Sequence, residues 1–277
     1  MENNLRFKFK LVGFVFALFL AVTAILQSAE ARTLKEIRES GFIRICTRTP
    51  ESSPLGIIDA NGIWRGYDQE LANRLAADLG VRLESVHVAP SARIAVLDND
   101  EVDIMLDYLT QTRERDIAVD FAAPYMKVFL GVVSPKSAPL TSEDELIGKR
   151  LVVVKGTTAF KYLQEHYLHK VEIIEAATFP EAFEILARGE ANGLADGNIV
   201  LIPWAHEHPD FVAGITKFGR MEVIAPAVRK GNVSLLLWLN DEIIALGKER
   251  FFSRIFETTL RKKFGEEARV EDFATDW

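Results

Sequence analysis

Beyond residue 31, short apolar runs alternate with segments whose apolar residues recur every three to four positions. This pattern predicts a helix over Leu34–Ser40 ending at Gly41, then a strand over Phe42–Cys46. A second helix is expected from Asp68 to Leu79. Asp68 suits an N-cap, Leu71, Leu75 and Leu79 recur every four residues, and Gly80 can take the left-handed position after the last turn. A strand at Arg82–Val86 and a helix at Ala92–Leu97 follow. Val102, Ile104, Met105 and Leu106 then form the kind of run expected in a strand buried on both faces. The β-α-β-α-β order argues for a mostly parallel sheet with helices on its faces.

The pattern restarts after Pro135–Pro139. Leu151–Val154 reads as a buried strand, Gly156-Thr157-Thr158 as a turn into a helix through Tyr167, and Val171–Glu175 as a strand. Thr178 and Pro180 open a helix with Ala182, Ile185 and Leu186 inward and Gly189 at its end. A short strand leads to Asp196, the chain is extended again over Met221–Val228, and helices at Leu235–Leu246 and Ser253–Phe264 follow. Extended connectors near 130–135 and 223–228 predict two lobes crossed twice: 32–132 plus 227–277, and 133–226. Ligands in open α/β sheets bind beyond the carboxyl ends of strands. Three such ends carry polar clusters, Thr110–Arg115, Gly156–Thr158 and Asp196, so the site is expected in the cleft between lobes.

The chain start changes the setting. Arg6, Lys8 and Lys10 precede an apolar run from Leu11 to Leu26, and Ala29-Glu30-Ala31 fits a small-x-small cleavage site. Sixteen helical residues span about 24 Å, short of the roughly 30 Å hydrocarbon core of a bilayer. Residues 1–31 are therefore expected to be a cleaved export signal, the alternative being a permanent anchor. Export predicts a soluble periplasmic protein. The leader carries three positive and two negative side chains, so its removal takes the formal charge from −7 to −8. That balance argues against nucleic acid as a partner. Cys46 is the single cysteine, which leaves no internal disulfide and no cysteine-based metal site. His166, His169, His206 and His208 lie in different segments and read as surface residues. No metal and no cofactor is expected.

The richest chemistry lies in residues 102–125. A buried strand ends in hydroxyls at Thr110 and Thr112, and Arg115 follows in the first turn of a predicted helix. A hydroxyl, free N–H groups and a guanidinium together suit a carboxylate, which Arg can grip bidentately. With Gly66-Tyr67-Asp68-x-x-Leu71-Ala72, Asp103 through Thr110-x-Thr112-x-x-Arg115, Phe121-x-x-Pro124-Tyr125, Gly148-Lys149-Arg150, Gly156-Thr157-Thr158 and Gly189 through Asp196, the chain resembles the periplasmic solute-binding proteins of polar amino-acid ABC transporters. The resemblance covers essentially all of residues 32–277. It implies an α/β fold of the two-lobed type II periplasmic binding class, with a mostly parallel, helix-flanked sheet in each lobe. It also implies capture of an amino acid or derivative by lobe closure, delivery to an inner-membrane ABC permease, and action as a monomer without catalysis.

Residue by residue, the resemblance gives Arg115 the ligand α-carboxylate, helped by backbone N–H groups near Tyr108 and Thr110. Asp196 and the Thr110 hydroxyl would take the α-ammonium, and Thr158, beside Thr157, would reach the carboxylate from the opposite lobe. Arg48, Arg93 and Arg115 together would make a cationic pocket for a second carboxylate, as in a glutamate- or aspartate-like ligand. The alternative is that Arg48 is exposed loop and Arg93 pairs with Asp100 or Glu101. Asp107 and Tyr108 stand where the family usually has small residues; Asp107 is expected either to neutralise an arginine or to meet a second ligand amine. No aromatic lid stands around Glu51–Leu55, and Trp64 is the candidate to supply one. A competing reading is an enzyme resembling cyclohexadienyl (prephenate or arogenate) dehydratases, with Asp107 and Asp196 as the available acid–base groups. A third is a free-standing partner of a membrane receptor.

Overall fold

Twelve strands build three sheets in this computed structural model, which describes residues 31–48, 55–265 and 268–276. In chain order they are β1 (Phe42–Cys46), β2 (Gly56–Ile58), β3 (Trp64–Gly66), β4 (Arg82–Val86), β5 (Ile104–Met105) and β6 (Val119–Phe121), then β7 (Met126–Pro135), β8 (Arg150–Val154), β9 (Glu172–Ala176), β10 (Gly193–Gly197), β11 (Phe211–Ile224) and β12 (Ala227–Arg229). The first sheet runs β4-β1-β5-β12-β6, the second β11-β7-β10-β8-β9, and β2-β3 form a separate hairpin. Both large sheets belong to one compact unit, Arg32–Trp277. The expected leader, apart from Ala31, lies outside the described residues, as do residues 51–54 of the expected lid region.

The helices form where the apolar period and the caps agree. Thr33 caps Leu34–Ser40 through a reciprocal capping box with Glu36, and left-handed Gly41 ends it. Thr178 accepts from the Glu181 N–H at the start of Phe179–Ala187. The helix Tyr67–Leu79 buries Leu71, Leu75 and Leu79 and stops at left-handed Gly80. Each such leucine stabilises the fold by about 1.5–3 kcal/mol relative to an exposed one. Asp68, expected as the N-cap, is not: Gly66 holds that position without a side-chain bond. The Asp68 carboxylate turns inward and accepts from the Tyr108 N–H (2.8 Å) and the Tyr125 hydroxyl (2.8 Å).

The sheets are mixed rather than mostly parallel. β1 pairs parallel with β4 and β5, but β12 runs antiparallel to both β5 and β6. In the second sheet β8 pairs parallel with β9 and β10, while β7 runs antiparallel to β10 and β11. The predicted connectors are partly these long strands, β7 and β11. The chain therefore leaves the first sheet between Phe121 and Met126 and returns between Ile224 and Ala227. Residues 126–132, expected with the first lobe, lie in the second sheet. Its return direction inserts β12 reversed, which is why the parallel order breaks. The last expected helix is two, Phe251–Thr259 and Arg261–Phe264. Among the described residues no helix is long and apolar enough to cross a membrane.

Strand ends position the site. Arg48 follows β1 by two residues, Asp107 and Tyr108 follow β5, Gly156–Thr158 follow β8, and Asp196 sits in β10. Asp103, at the opposite end of β5, is committed to Arg44 (2.7 Å) and Arg32 (2.9 Å).

Candidate functional site

Arg48, Arg93, Tyr108, Thr110, Arg115, Thr157, Thr158 and Asp196 line one small cavity, closed on its other sides by Val128, Phe179, Ile199, Val200 and Ile224. Its free volume is about 30 Å³, enough for one or two waters, so the walls must part to admit an amino acid. Eight of the ten residues expected at the site meet there. Asp107 stands directly behind them, and Trp64 is elsewhere: its indole lies 3.1 Å from where a Cβ on Gly66 would sit, folded over its own strand.

The loop after β5 gathers the cations. Asp107 Oδ1 accepts from Arg48 Nε at 2.8 Å, and its Oδ2 lies 3.7 Å from Arg93 Nε. Arg48 is stacked over the Phe179 ring (4.2 Å to the centroid) and near the Tyr108 ring (5.4 Å). Its Nη1 is buried without a hydrogen-bond partner among the described residues. Arg93, only 3% exposed, donates to the carbonyls of Pro90 (3.0 Å), Asp107 (2.9 Å) and Gly156 (3.2 Å). Neither alternative drawn from the sequence holds: Arg48 is not exposed loop, and Asp100 pairs with Arg44 (3.3 Å) rather than Arg93. Asp107 does neutralise an arginine, and in fact reaches two.

Arg115 opens the one-turn helix Arg115–Ala118, where its N–H donates to Thr112 Oγ1 (3.2 Å). Its guanidinium donates to the carbonyls of Thr110 (2.6 Å) and Gly156 (2.8 Å). Burial pushes it down to about 9, and the nearby Arg93 cation adds to this. Among the described residues no carboxylate is hydrogen-bonded to it, although the charge of Glu222 acts on it favourably. Such a cation would gain strongly from an anion placed against it.

Gly156 brings the second lobe onto the first. Its φ is +82°, and a Cβ there would lie 2.6 Å from Ser91 Cα. Its carbonyl accepts from Arg93 and Arg115 across the cleft. Thr157 is the N-cap of Thr158–His166: its hydroxyl accepts from the Phe160 N–H (3.2 Å) and donates to the Val154 carbonyl (2.8 Å). Both capacities serve the helix start, so Thr157 lines the cavity without a hydroxyl proton to offer. Thr158 Oγ1 donates to Glu222 Oε2 (2.7 Å). Asp196 Oδ1 accepts from the Gly197 N–H (2.7 Å), whereas Oδ2 is buried with no partner. Burial pushes this carboxyl up to about 6, against the pull of Arg48 and Arg93.

Sequence reasoning had missed Phe179, Glu222 and the Gly156 carbonyl as parts of the site. Phe179 carried a usable signal, since it opens a helix directly after an N-cap beyond β9, where side chains face the cleft. Glu222 carried none, because it lies on β11, which the sequence pattern left as connector.

The arrangement puts a buried, under-compensated guanidinium and a buried carboxylate oxygen on the walls of one cavity, the two unlike charges that a zwitterion carries. Comparison with known proteins agrees. The model of the bacterial extracellular solute-binding proteins, family 3, matches residues 43–262. A solved solute receptor for L-cysteine from Neisseria gonorrhoeae is similar at 40% identity and a TM-score of 0.83, covering 88% of this chain and 100% of that one. The cysteine-binding protein of Campylobacter jejuni is similar at 36% identity and a TM-score of 0.83, covering 88% and 99%. An L-glutamate/L-aspartate-binding protein of Pseudomonas aeruginosa is 29% identical over 215 residues, 73% of this chain and 71% of its own. These relatives are described as receptors or binding proteins, which favours binding over the dehydratase alternative. The chain has the type II periplasmic binding fold and belongs to the bacterial extracellular solute-binding proteins, family 3.

Proposed function

We propose that the protein captures a small amino acid with an uncharged side chain, of the size and polarity of L-cysteine, and hands it to an inner-membrane ABC permease. It acts as a monomer in the periplasm after loss of residues 1–31. Arg115 holds the α-carboxylate, and Asp196 Oδ2 accepts from the α-ammonium. The observation that carries this reading is the pair of unlike, buried, incompletely partnered groups on the walls of one cavity. A zwitterion matches both, and leaving either charge unpaired on burial is costly.

The acidic ligand expected from the three arginines is less well supported. Asp107 already meets Arg48 and Arg93, so a further carboxylate would meet cations that share a carboxylate between them. The cysteine-binding relatives are also the more similar ones.

A thermal-shift panel of amino acids tests the reading. A ligand at a thousand times its Kd stabilises the native state by about 4 kcal/mol. Cysteine or another small neutral amino acid should raise Tm. A response confined to glutamate and aspartate, or to arginine, would overturn it.

A further inference from the structure

Two consecutive residues after β5, Asp107 (φ 45°) and Tyr108 (φ 51°), occupy the left-handed region, and neither is glycine. L side chains adopt this conformation at a cost, so local contacts must hold it. The Tyr108 N–H donates to buried Asp68 (2.8 Å), and the Asp107 carbonyl accepts from Arg93 Nη1 (2.9 Å). The consequence is that the Asp107 carboxylate points between two buried guanidiniums, 2.8 Å from Arg48 Nε and 3.7 Å from Arg93 Nε. Asp107 is 2% exposed, Arg93 3% and Arg48 8%.

Arg48 and Arg93 are the cations that an acidic ligand's side chain would need, since Arg115 serves the α-carboxylate. We infer that Asp107 is a specificity-determining residue: its carboxylate sits on Arg48 and Arg93 in place of a ligand's side-chain anion and so excludes acidic amino acids. The inference rests on the small-amino-acid reading above. A second carboxylate entering the cleft would meet Arg48 and Arg93 with the Asp107 carboxylate directly behind them, in a poorly solvated space. It would gain less from guanidiniums that already share Asp107, and the like charge behind them disfavours binding. A neutral side chain meets no such repulsion, and the Phe179 and Tyr108 rings lie against the Arg48 guanidinium.

The test uses L-cysteine and L-cysteate, which share a skeleton and differ in a thiol against a sulfonate, titrated calorimetrically. The wild-type chain should bind cysteate at least about a hundredfold more weakly than cysteine. In Asp107→Asn and Asp107→Ser the cysteate-to-cysteine affinity ratio should rise at least about tenfold. Removing Arg48 as well, in Arg48→Gln/Asp107→Asn, should abolish most of that rise, a coupling that a merely structural carboxylate would not produce. Wild-type binding of cysteate within about threefold of cysteine overturns the inference whether or not the variants fold. So does an unchanged ratio in both single variants. Failure of the wild type to bind any small neutral amino acid removes the proposed function first and this inference with it.

Discussion

The two faces of the cleft are built differently. The first-lobe face holds three guanidiniums, Arg48, Arg93 and Arg115, on a loop and at two helix starts, each tied to carbonyls or to Asp107. The second-lobe face holds carboxylates: Glu222 on β11, bound to Thr158, and Asp196 in the interior strand β10, with one oxygen bound to its own backbone neighbour and the other without a partner among the described residues. One face is thus prepared for an anion and the other for a cation. A ligand carrying both charges contacts both faces only when they are together, so its differential affinity favours the closed arrangement. In the proposed function the contrast also separates affinity from selection: Arg115 and Asp196 are assigned what all amino acids share, and the Arg48–Asp107–Arg93 cluster what differs.

That contrast can be broken from either side. The largest effect is expected for Arg115→Ala, which leaves a ligand carboxylate buried without its cation and should cost on the order of 2–5 kcal/mol in affinity by calorimetry. An unchanged Kd would remove the anion face from the account. Gly156→Ala comes next. Its Cβ would meet the Ser91 backbone at 2.6 Å, at a residue with φ +82°, so the variant should bind about 1–3 kcal/mol more weakly and scatter as a more open particle in solution. Equal affinity and an unchanged radius of gyration would show that the lobes do not need this approach.

The cation face can be tested by pH. Asp196 is pushed up to about 6, above its ordinary value near 4, and it must be ionised to accept from an ammonium. Affinity should fall by up to about tenfold per pH unit below 6, and Asp196→Asn should flatten this dependence while weakening binding throughout. Stability moves the opposite way. A carboxyl raised in the folded state favours folding below its unfolded value, and the benefit is lost as pH rises through about 6. Asp68, pushed by burial to about 7, adds to the same trend, so Tm in the absence of amino acid should fall between pH 4 and 7. The smallest effect is expected for Trp64→Ala, whose indole lies outside the cavity: affinity should change by less than about 0.5 kcal/mol. A larger loss would restore the aromatic lid.

Legibility followed the range of the forces involved. Leu34–Ser40, β1 and β4 were read with their observed bounds because capping and period act over a few residues. Arg115, Thr158 and Asp196 were legible because strand ends face the cleft in this kind of fold. β7 and β11 were not, since a strand interrupted by bulges between Ala213 and Glu222 loses its alternation. The roles of Asp107 and Arg48 were open because the two meet across 59 residues of sequence. A left-handed aspartate has no local signature that would have announced the meeting.

The order of strands also sets an order of assembly. Every strand of the second sheet, β7 to β11, comes from one uninterrupted stretch of chain, so that sheet can form from its own segment. The first sheet cannot finish in the same way. Its fourth member, β12, must slot between β5 and β6 after the whole intervening segment has been threaded out and back. The second sheet is therefore expected to acquire exchange-protected amides first during refolding, and the first to close around it as the slow, long-range step. The face that carries the guanidiniums is completed last, so competence to bind should appear only with the final folding phase.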